Sequence, residues 1–330
     1  MKIWRDSDAD LNYLNGRTAA VLGYGNQGRA HALNLRDSGV PVIVGNRDDE
    51  YRSKAEEDGF APVSIREAAE SGDLLFILTT DESQPEIWEE KIAPGVRPGD
   101  VLVWASGYNV AYELISPTDD VDVVMVAPRM TGNMVRELYL RGKGAIAQVA
   151  VHMDASGEAQ QRLLAIAKAI GCTRGGVFVS SFREEAELDL FAEQVVWAGL
   201  TAWFVECFEI GVEAGFSPEL MVLELYASGE ASEILGLMAR NGFFKQMVHH
   251  STTSQYGTLS RGPDLITAEM KRRARRNLHE DIKGGKFAAE WSREQAVMAG
   301  RLDTLIGGAL EHPMSRIEDS VISLIQNAHI

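Results

Sequence analysis

Six short runs of apolar, mostly β-branched residues constrain the fold of this 330-residue chain more than any other feature. They lie at residues 18–25, 41–46, 73–80, 100–106, 122–128 and 144–151. Amphipathic helical patterns such as Gln27–Asp37 and Ser64–Ala69 separate the earlier runs. A strand that is apolar along its whole length is buried on both faces, and strands that alternate with helices form parallel sheets covered by those helices. Residues 1–182 are therefore predicted to form a doubly wound, parallel α/β sheet.

The second half of the chain has a different pattern. Strand-like runs stop after Phe182, and long helical patterns follow at 184–215, 218–240 and 267–284. Helix breakers stand at Gly215–Pro218, Gly262–Pro263 and His312–Pro313. A change of apolar period from two residues to 3.6 indicates a new domain of a different class. Residues 183–330 are predicted to form an all-helical domain.

Charge and targeting signals limit the partners and the location. The chain has 48 acidic and 32 basic residues, a formal net charge of −16, which disfavours binding to nucleic acid and anionic membranes. The basic cluster Lys271–Arg276 is interpreted as a solvated helix face or a subunit contact. Cys172 and Cys207 lie in apolar surroundings, as reduced thiols do. No apolar signal core begins the chain, and no window approaches the ~18 uninterrupted apolar residues of a membrane span. We predict a cytoplasmic protein.

A glycine motif follows the first predicted strand. In "GYGNQG", Gly23, Gly25 and Gly28 have G-x-G-x-x-G spacing before a helix, the arrangement of a Rossmann-like dinucleotide site. The glycines allow a tight turn, close approach of a pyrophosphate and close helix packing, while the helix N-terminus faces the anion. The alternative is a glycine turn without a ligand. The predicted cofactor-binding residues here are Gly23, Tyr24, Gly25, Asn26, Gln27 and Gly28.

The loop after the second predicted strand bears on the choice of coenzyme. A 2′-phosphate favours basic or hydroxyl groups, whereas a 2′-hydroxyl favours a carboxylate. The loop holds both kinds, with Arg47, Asp48, Asp49, Glu50, Arg52 and Ser53. Three carboxylates oppose a dianionic phosphate, so NADH is favoured over NADPH. The alternative is a solvated turn that plays no part in the choice.

A third segment, "ELDLFAEQVVW" at 187–197, places two acids on one face of an apolar helix. Asp189 and Glu193 are four residues apart, where like charges repel by roughly 0.2–0.5 kcal/mol. The helix dipole stabilises acids in the first turn, which accounts for Glu184, Glu185 and Glu187 better than for this deeper pair. Asp189 and Glu193 are therefore candidates for divalent metal ligands.

Several stretches together resemble the ketol-acid reductoisomerase family. They are 14–39, 80–94, 122–128, 154–159, 182–194, 212–220, 251–257 and 311–314. The resemblance implies the short form, in which one knotted helical domain pairs with a second copy, giving a homodimer or a larger homo-oligomer. It implies Mg²⁺ at Asp189 and Glu193 and places Asp81 and Gln84 at the cofactor site.

The family also takes two glutamates from a later helix of the neighbouring subunit. Counted from "SPEL", Glu224 matches the first, and counted back from "STTSQYG", Glu230 matches the second. Six residues apart on a regular helix, they lie on different faces and share an ion only across a bulge or kink. A second metal ion is therefore left open. Ser251 begins the matching substrate-contacting segment.

The chain departs from the family at the ends of later strands. Ser106 stands where a histidine is usual, and Arg129 and Asn133 stand where lysine and histidine are usual. Ser106 is predicted to be a catalytic residue and Asn133 a substrate-binding residue. Arg129 is predicted to hold a substrate carboxylate or, equally, to form a salt bridge at the strand end. His249 and His250 are read either as substitute proton donors or, preferably, as packed side chains.

Three functions follow from this pattern. The favoured hypothesis is an NAD(P)H-dependent reductase of a small keto acid or imine that lacks the family's alkyl shift, because hydride transfer needs fewer groups than the rearrangement. The second is a true ketol-acid reductoisomerase. The third is a non-catalytic dinucleotide-binding relative.

Overall fold

Eight strands form one mixed sheet in the computed structural model, which describes residues 2–297 and 300–328. The strand order is β1-β8-β7-β6-β5-β4-β2-β3. The strands are β1 Ile3–Trp4, β2 Ala19–Leu22, β3 Val42–Gly45, β4 Leu74–Ile77, β5 Val101–Trp104, β6 Asp122–Pro128, β7 Ala147–Met153 and β8 Val177–Val179.

Five neighbouring strands of the sheet are parallel, and the remaining three are mixed in direction. β3, β2, β4, β5 and β6 run parallel, with Ala19 opposite both Val42 and Leu74. β7 pairs antiparallel with β6, β8 runs parallel to β7, and β1 is antiparallel to β8. The prediction of a wholly parallel sheet was wrong for the sixth run. β1 and β8 were not predicted, because strands of two and three residues carry no readable pattern.

The two faces of the sheet carry separate apolar cores. Every residue of β2, β4, β5 and β6 is buried, which explains why these strands are apolar apart from Asp122 at the start of β6. Successive side chains point to opposite faces. On one face Val21, Phe76 and Val103 pack with helical residues of 26–37 and 159–169. On the other, Leu22, Leu75 and Leu102 pack with helical residues of 65–71 and 182–191. The doubly wound arrangement is confirmed.

The helices of this part are α1 Asn26–Asp37, α2 Glu50–Glu57, α3 Ile65–Ser71, α4 Gln84–Ile87, α5 Tyr108–Ala111, α6 Gly132–Leu140, α7 Ala159–Ala169, α8 Cys172–Gly175 and α9 Phe182–Phe191. Short 3₁₀ turns lie at Asp6–Asp8, Leu11–Leu14 and Ala93–Gly95, and a π-helical turn at Trp88–Ile92.

The chain divides into two compact units, of which the first ends at Asp189 and the second begins at Leu190. The predicted division after residue 182 stays a prediction. The second unit is all-helical over its described residues, 190–297 and 300–328, as predicted. Its helices are α10 Ala198–Glu213, α11 Pro218–Val222, α12 Glu230–Asn241, α13 Thr252–Leu265, α14 Ala268–Arg276, α15 Lys286–Ala296, α16 Arg301–Leu310 and α17 Pro313–Ala328. A 3₁₀ turn lies at Lys245–His249.

Two details of the second unit differ from the prediction. The helical pattern predicted over 218–240 is interrupted, because Gly229 adopts a left-handed conformation with φ of 86° and α12 starts anew at Glu230. The predicted breaker Gly262–Pro263 lies inside α13, close to its C-terminal end. π-helical turns lie at Ala192–Trp197, Leu223–Ala227 and Asn277–Ile282.

One continuous helical stretch, Phe182–Glu213, is long and apolar enough by length and composition to cross a membrane. Its most apolar 18-residue window has a mean hydropathy of 1.5, and 11% of that window is buried within the chain. Glu193 and Glu206 interrupt the apolar run, so the sequence pattern alone did not indicate a membrane span here. A single helix of this kind is weak evidence for a membrane span, since core helices of soluble proteins meet the same criteria.

Candidate active site

The glycine turn between β2 and α1 packs so closely against neighbouring backbone that two of its positions have no room for a side chain. Gly23 has φ of 101°, and a Cβ there would lie 2.8 Å from the backbone of Leu78. A Cβ at Gly28 would lie 1.9 Å from the carbonyl oxygen of Gly23. A Cβ at Gly25 would meet nothing within 4 Å. The turn therefore packs against protein at Gly23 and Gly28 and is open at Gly25. A backbone cradle for a pyrophosphate requires this arrangement.

A second helix points its N-terminus at the same turn. Gln27 Nε2 donates to the carbonyl of Met130 at 2.9 Å, and the N–H of Asn133 donates to Asn26 Oδ1 at 3.2 Å. A Cβ at Gly132 would lie 1.9 Å from the carbonyl oxygen of Asn26, so α6 and α1 touch backbone to backbone. Two converging helix N-termini favour an anion between them. Asn133 thus lies beside the dinucleotide turn, although it was predicted to bind substrate.

The polar atoms here fit a dinucleotide. Gln27 Oε1 and Thr79 Oγ1 are buried and have no hydrogen-bond partner in the described part of the chain. Buried polar atoms are normally paired, so unpaired ones at a glycine turn indicate a place for ligand atoms.

The loop after β3 is held by a residue that sequence reasoning missed. Asn46 is buried, accepts a hydrogen bond from the N–H of Tyr24 at 2.9 Å, and donates to Asp49 Oδ1 at 2.7 Å. This joins the glycine turn to the coenzyme-selecting loop. The available signal was a polar residue placed directly after a buried strand.

Asp49 organises that loop internally. It accepts from the N–H groups of Tyr51 at 3.0 Å and Arg52 at 3.3 Å, capping α2, and from Arg47 Nε at 2.6 Å. Although desolvation opposes it, the bond from Arg47 and the backbone bonds hold the pKa of Asp49 below its ordinary value. Arg52 donates to the carbonyl of Pro62 at 2.7 Å. Both predicted arginines therefore have partners within the protein, while Asp48, Glu50 and Ser53 are exposed.

The residues after β4 and β5 form a connected polar group. Gln84 is buried and its Oε1 accepts from Trp104 Nε1 at 3.1 Å and Asn109 Nδ2 at 3.0 Å. Asn109 also donates to the carbonyl of Asp81 at 2.9 Å. Gln84, predicted to bind cofactor, thus makes its contacts inside the protein and fixes the position of the segment that carries Asp81.

Asp81 has a perturbed carboxyl group. Desolvation first, and then repulsion by Glu185 and Glu82, raise its pKa to about 7. The Ser106 hydroxyl lies 3.5 Å from Asp81 Oδ2. A carboxyl group that exchanges its proton near neutral pH, beside a hydroxyl at the strand end, is equipped for proton transfer.

Arg129, directly after β6, bridges two carboxylates of α9. Its Nη1 lies 2.6 Å from Glu185 Oε1, and its Nη2 pairs with Asp189 Oδ1. Glu185 is 2% exposed, and its other oxygen accepts the N–H of Gly107 at 2.7 Å. Burial raises the pKa of Glu185, with repulsion by Asp189 adding to it. The salt bridge predicted as one alternative for Arg129 is present, and its partner Glu185, which the sequence analysis assigned to the first helical turn, belongs to the site.

The predicted residues of the second unit lie on interrupted helices. Glu193 falls in the π-helical turn Ala192–Trp197 and Glu224 in the turn Leu223–Ala227. Gly229 separates Glu224 from Glu230, which is the kind of kink that a shared ion would need.

The histidine-containing segment is locally bonded. Ser251 caps α13 by accepting the N–H of Ser254 at 3.2 Å. His250 Nε2 lies 2.8 Å from Gln246 Oε1, and His249 Nε2 lies 3.4 Å from Asn241 Nδ2. Both rings therefore have polar partners within the same segment, although His249 is exposed and His250 only partly buried, and their role stays a prediction.

The donor chemistry at Asp189 fits Mg²⁺, which prefers carboxylate oxygens and keeps several waters. Within the described ranges, no group of three or more His, Cys, Asp or Glu side chains is arranged to hold a metal ion. Asp189 closes the first unit and Glu193 belongs to the second, so their joint role as ligands stays a prediction.

Comparison with known proteins covers nearly the whole chain. Residues 13–176 match the acetohydroxy acid isomeroreductase, NADPH-binding domain, and residues 182–327 match the ketol-acid reductoisomerase, C-terminal domain. The ketol-acid reductoisomerase (NADP(+)) of Pyrobaculum calidifontis is 44% identical over 318 residues, 96% of each chain. That of Caldivirga maquilingensis is 39% identical over 327 residues, 99% of each chain.

A solved structure agrees with these sequences. The NADH-preferring ketol-acid reductoisomerase from an uncultured archaeon superposes with a TM-score of 0.93 and is 36% identical, covering 98% of this chain and 99% of that one. With both family domains matched in order and relatives aligned end to end, the chain belongs to the ketol-acid reductoisomerase family and is an NAD(P)H-dependent oxidoreductase of that family.

Proposed function

We propose that this protein catalyses the complete ketol-acid reductoisomerase reaction. A 2-hydroxy-2-alkyl-3-keto acid undergoes an alkyl shift, and the new ketone is then reduced. The observation that carries the proposal is the 44% identity to a relative of that name over 96% of both chains. The sequence analysis favoured reduction alone, but likeness of this extent supports the complete reaction better.

The residues at the strand ends suit the two stages. When bound, Mg²⁺ would polarise the keto group and stabilise an alkoxide, and the nicotinamide would supply the hydride. Arg129 offers a planar guanidinium to a substrate carboxylate. Asp81, with a pKa of about 7, and the Ser106 hydroxyl offer a route for the proton of the substrate hydroxyl.

We infer that NADH is the preferred coenzyme. Arg47 Nε donates a hydrogen bond to Asp49 at 2.6 Å, and Arg52 donates one to the carbonyl of Pro62. Both guanidinium groups therefore already have protein partners with which a 2′-phosphate would have to compete. Exposed Asp48 and Glu50 add negative charge to the same loop. The relatives differ on this point, since the curated ones are named for NADP(+) and the structural one is described as NADH-preferring.

The proposal includes a cytoplasmic homodimer or larger homo-oligomer that acts on a small keto acid and binds neither nucleic acid nor membrane. The helical stretch Phe182–Glu213 leaves most of its apolar window exposed within one chain, and a second copy would cover it. The net charge of −16 opposes binding to polyanions.

Reduction without the alkyl shift is the second candidate. Ser106 lies beside Asp81 where the family usually has histidine, and Arg129 pairs with the predicted metal ligand Asp189. Purified protein with Mg²⁺ and NADH or NADPH should be given 2-acetolactate and, separately, its isomerised 3-hydroxy-2-keto acid. Coenzyme oxidation with both substrates supports the complete reaction. Oxidation with the isomer alone supports the second candidate, and oxidation with neither contradicts both.

A further inference from the structure

We propose that Arg129 is an internal cation that competes with a divalent metal ion for the carboxylate of Asp189. Arg129 bridges Glu185 and Asp189, and binding of a metal ion at Asp189 would release that end of the bridge while the Glu185 end stays attached. The proposal rests on the proposed function only in taking Asp189 as a metal ligand.

The bridge has one fixed end and one that can open. Glu185 is almost completely buried, and each of its oxygens is bonded, one to Arg129 Nη1 at 2.6 Å and the other to the Gly107 N–H at 2.7 Å. The Asp189 side chain is 40% exposed. Water and ions therefore reach Asp189 but not Glu185, so the bond between Arg129 and Asp189 is the one that an incoming cation can replace.

The local charge favours a further cation. Asp81 lies near Glu185 and Asp189 and is repelled by both, and Arg129 pairs with the latter two. Three carboxylates and one guanidinium leave an excess of negative charge. A divalent ion at Asp189 compensates that excess, but Arg129 Nη2 donates to Oδ1 of the same carboxylate, so an ion that takes Oδ1 must displace the guanidinium, which also repels it.

Release of Nη2 has a chemical consequence. A guanidinium that remains fixed through Nη1 keeps its position at the strand end, while its free N–H groups can bind another anion. A substrate carboxylate is such an anion, and a planar guanidinium can bind it with two parallel hydrogen bonds. Metal binding would thus convert Arg129 from an internal partner of Asp189 into a substrate-positioning residue.

Two variants separate competition from simple charge repulsion. Arg129→Lys keeps the positive charge but loses the fork that reaches both carboxylates, and Arg129→Gln loses the charge as well. If Arg129 competes by direct contact, both variants bind metal more tightly. If it acts only through charge, Arg129→Lys behaves like the original protein. Arg141→Gln is the matched control, because Arg141 forms an exposed pair with Glu137 at 3.0 Å on α6.

The measurement is calorimetric titration of the full-length, substrate-free protein and its variants with MgCl₂. We expect Arg129→Lys to bind Mg²⁺ about 5-fold and Arg129→Gln about 10-fold more tightly than the original protein, as relief of one carboxylate pair predicts. Arg141→Gln should match the original. Coenzyme binding by each variant verifies folding.

A second readout follows the released group itself. Phenylglyoxal labelling of arginines, mapped by mass spectrometry, should rise at Arg129 when Mg²⁺ is added and stay constant at Arg141. Equal Mg²⁺ affinities, labelling that does not respond, or no Mg²⁺ binding by any variant would each overturn the proposal. Equal affinities would leave the proposed reaction intact, whereas inertness toward acetolactate would refute that reaction and leave the competition standing.

Discussion

At the scale of single residues, the candidate site is an excess of carboxylates around one guanidinium. Asp81, Glu185 and Asp189 repel one another, and Arg129 pairs with two of them. Such an arrangement costs stability in the absence of a ligand, as functional sites often do. Its protonation state should therefore affect the stability of the fold.

Asp81→Asn tests this cost. The pKa of Asp81 is raised to about 7, so between about pH 4 and pH 7 the folded protein holds a proton that the unfolded chain has lost. The free energy of unfolding of the original protein thus falls as the pH rises through this window. Urea unfolding in EDTA should show the advantage of Asp81→Asn growing by about 1 kcal/mol or more from pH 5 to pH 8.

The control for this experiment is Asp119→Asn, which removes an exposed carboxylate elsewhere in the same unit. An advantage of Asp81→Asn that is the same at both pH values, or that shrinks as the pH rises, would count against the raised pKa.

Asp49 gives a second prediction at this scale. Asp49→Ala removes the cap of α2 and releases Arg47, so we expect a stability loss of about 1 kcal/mol and a rise of about tenfold in the NADPH-to-NADH ratio of kcat/KM. Asp49→Asn keeps a good cap but loses the charge that holds Arg47. It should shift coenzyme preference with little loss of stability. Unchanged ratios in both variants would show that Arg47 plays no part in the choice.

Individual site residues were predictable where the signal is local. Gly23, Gly25 and Gly28 could be assigned because a turn of six residues contains its own constraints. Glu185 and Asn46 could not, because their partners are remote. Glu185 bonds to Gly107, 78 residues earlier, and Asn46 to Tyr24, 22 residues earlier. Only the folded chain shows that Glu185 is buried against Gly107 and Asn46 against Tyr24.

At the scale of elements, the buried parallel strands were the easiest to predict. β2, β4 and β5 are apolar throughout, and β6 is apolar after Asp122, because both faces are covered. The direction of β7 was not predictable in the same way. A buried antiparallel strand has the same apolar composition as a parallel one, and its direction depends on how the chain returns to the sheet.

The glycine turn allows a matched pair of substitutions. Gly28→Ala places a methyl group 1.9 Å from the Gly23 carbonyl, so the helix must move, and we expect a loss of about 1–3 kcal/mol in stability together with loss of coenzyme binding. Gly25→Ala meets no protein atom within 4 Å. It should keep stability within about 1 kcal/mol yet weaken NADH binding tenfold or more, because the methyl group would occupy the open side of the turn, where we predict the pyrophosphate.

Thermal unfolding and coenzyme fluorescence titration measure the two effects separately. Unweakened NADH binding by Gly25→Ala would show that the open side of the turn does not face the coenzyme.

The segment between Glu224 and Glu230 changes helix type twice. A π-helical turn closes its hydrogen bonds from i to i+5, so Leu223–Ala227 takes up more chain per turn than an α-helix does. The left-handed Gly229 then restarts the helix. Apolar periodicity cannot reveal such a change of helix type, and the assignment of Glu224 and Glu230 as ligands stays a prediction.

At the scale of the whole molecule, the second unit has much unburied apolar surface. Large exposed side chains on it include Val196, Trp197, Trp203, Ile210, Phe243 and Phe244. Soluble monomers rarely expose so many large apolar groups, and surfaces of this kind are typical of subunit interfaces. The sequence predicted a partner copy from family resemblance, but not which helix faces it would cover.

Trp203→Glu tests the assembly. Trp203 is 45% exposed on α10, and a charge there would be buried without a partner in a dimer. We expect a shift from dimer to monomer in light scattering and a loss of activity of at least tenfold, since the family completes each site with a second copy. Leu140→Glu alters a side chain that is 65% exposed in the first unit and should leave the assembly unchanged. A dimeric Trp203→Glu would place the interface elsewhere.

The contact between Gly132 and Asn26 joins the coenzyme cradle to the segment that carries Arg129. Gly132 has no space for even a methyl group, and it follows Arg129 by only three residues. Any adjustment of the coenzyme cradle is therefore transmitted along a few peptide bonds to the guanidinium. Engineering a new coenzyme preference in this scaffold would have to preserve that junction, or metal and substrate handling would change with it.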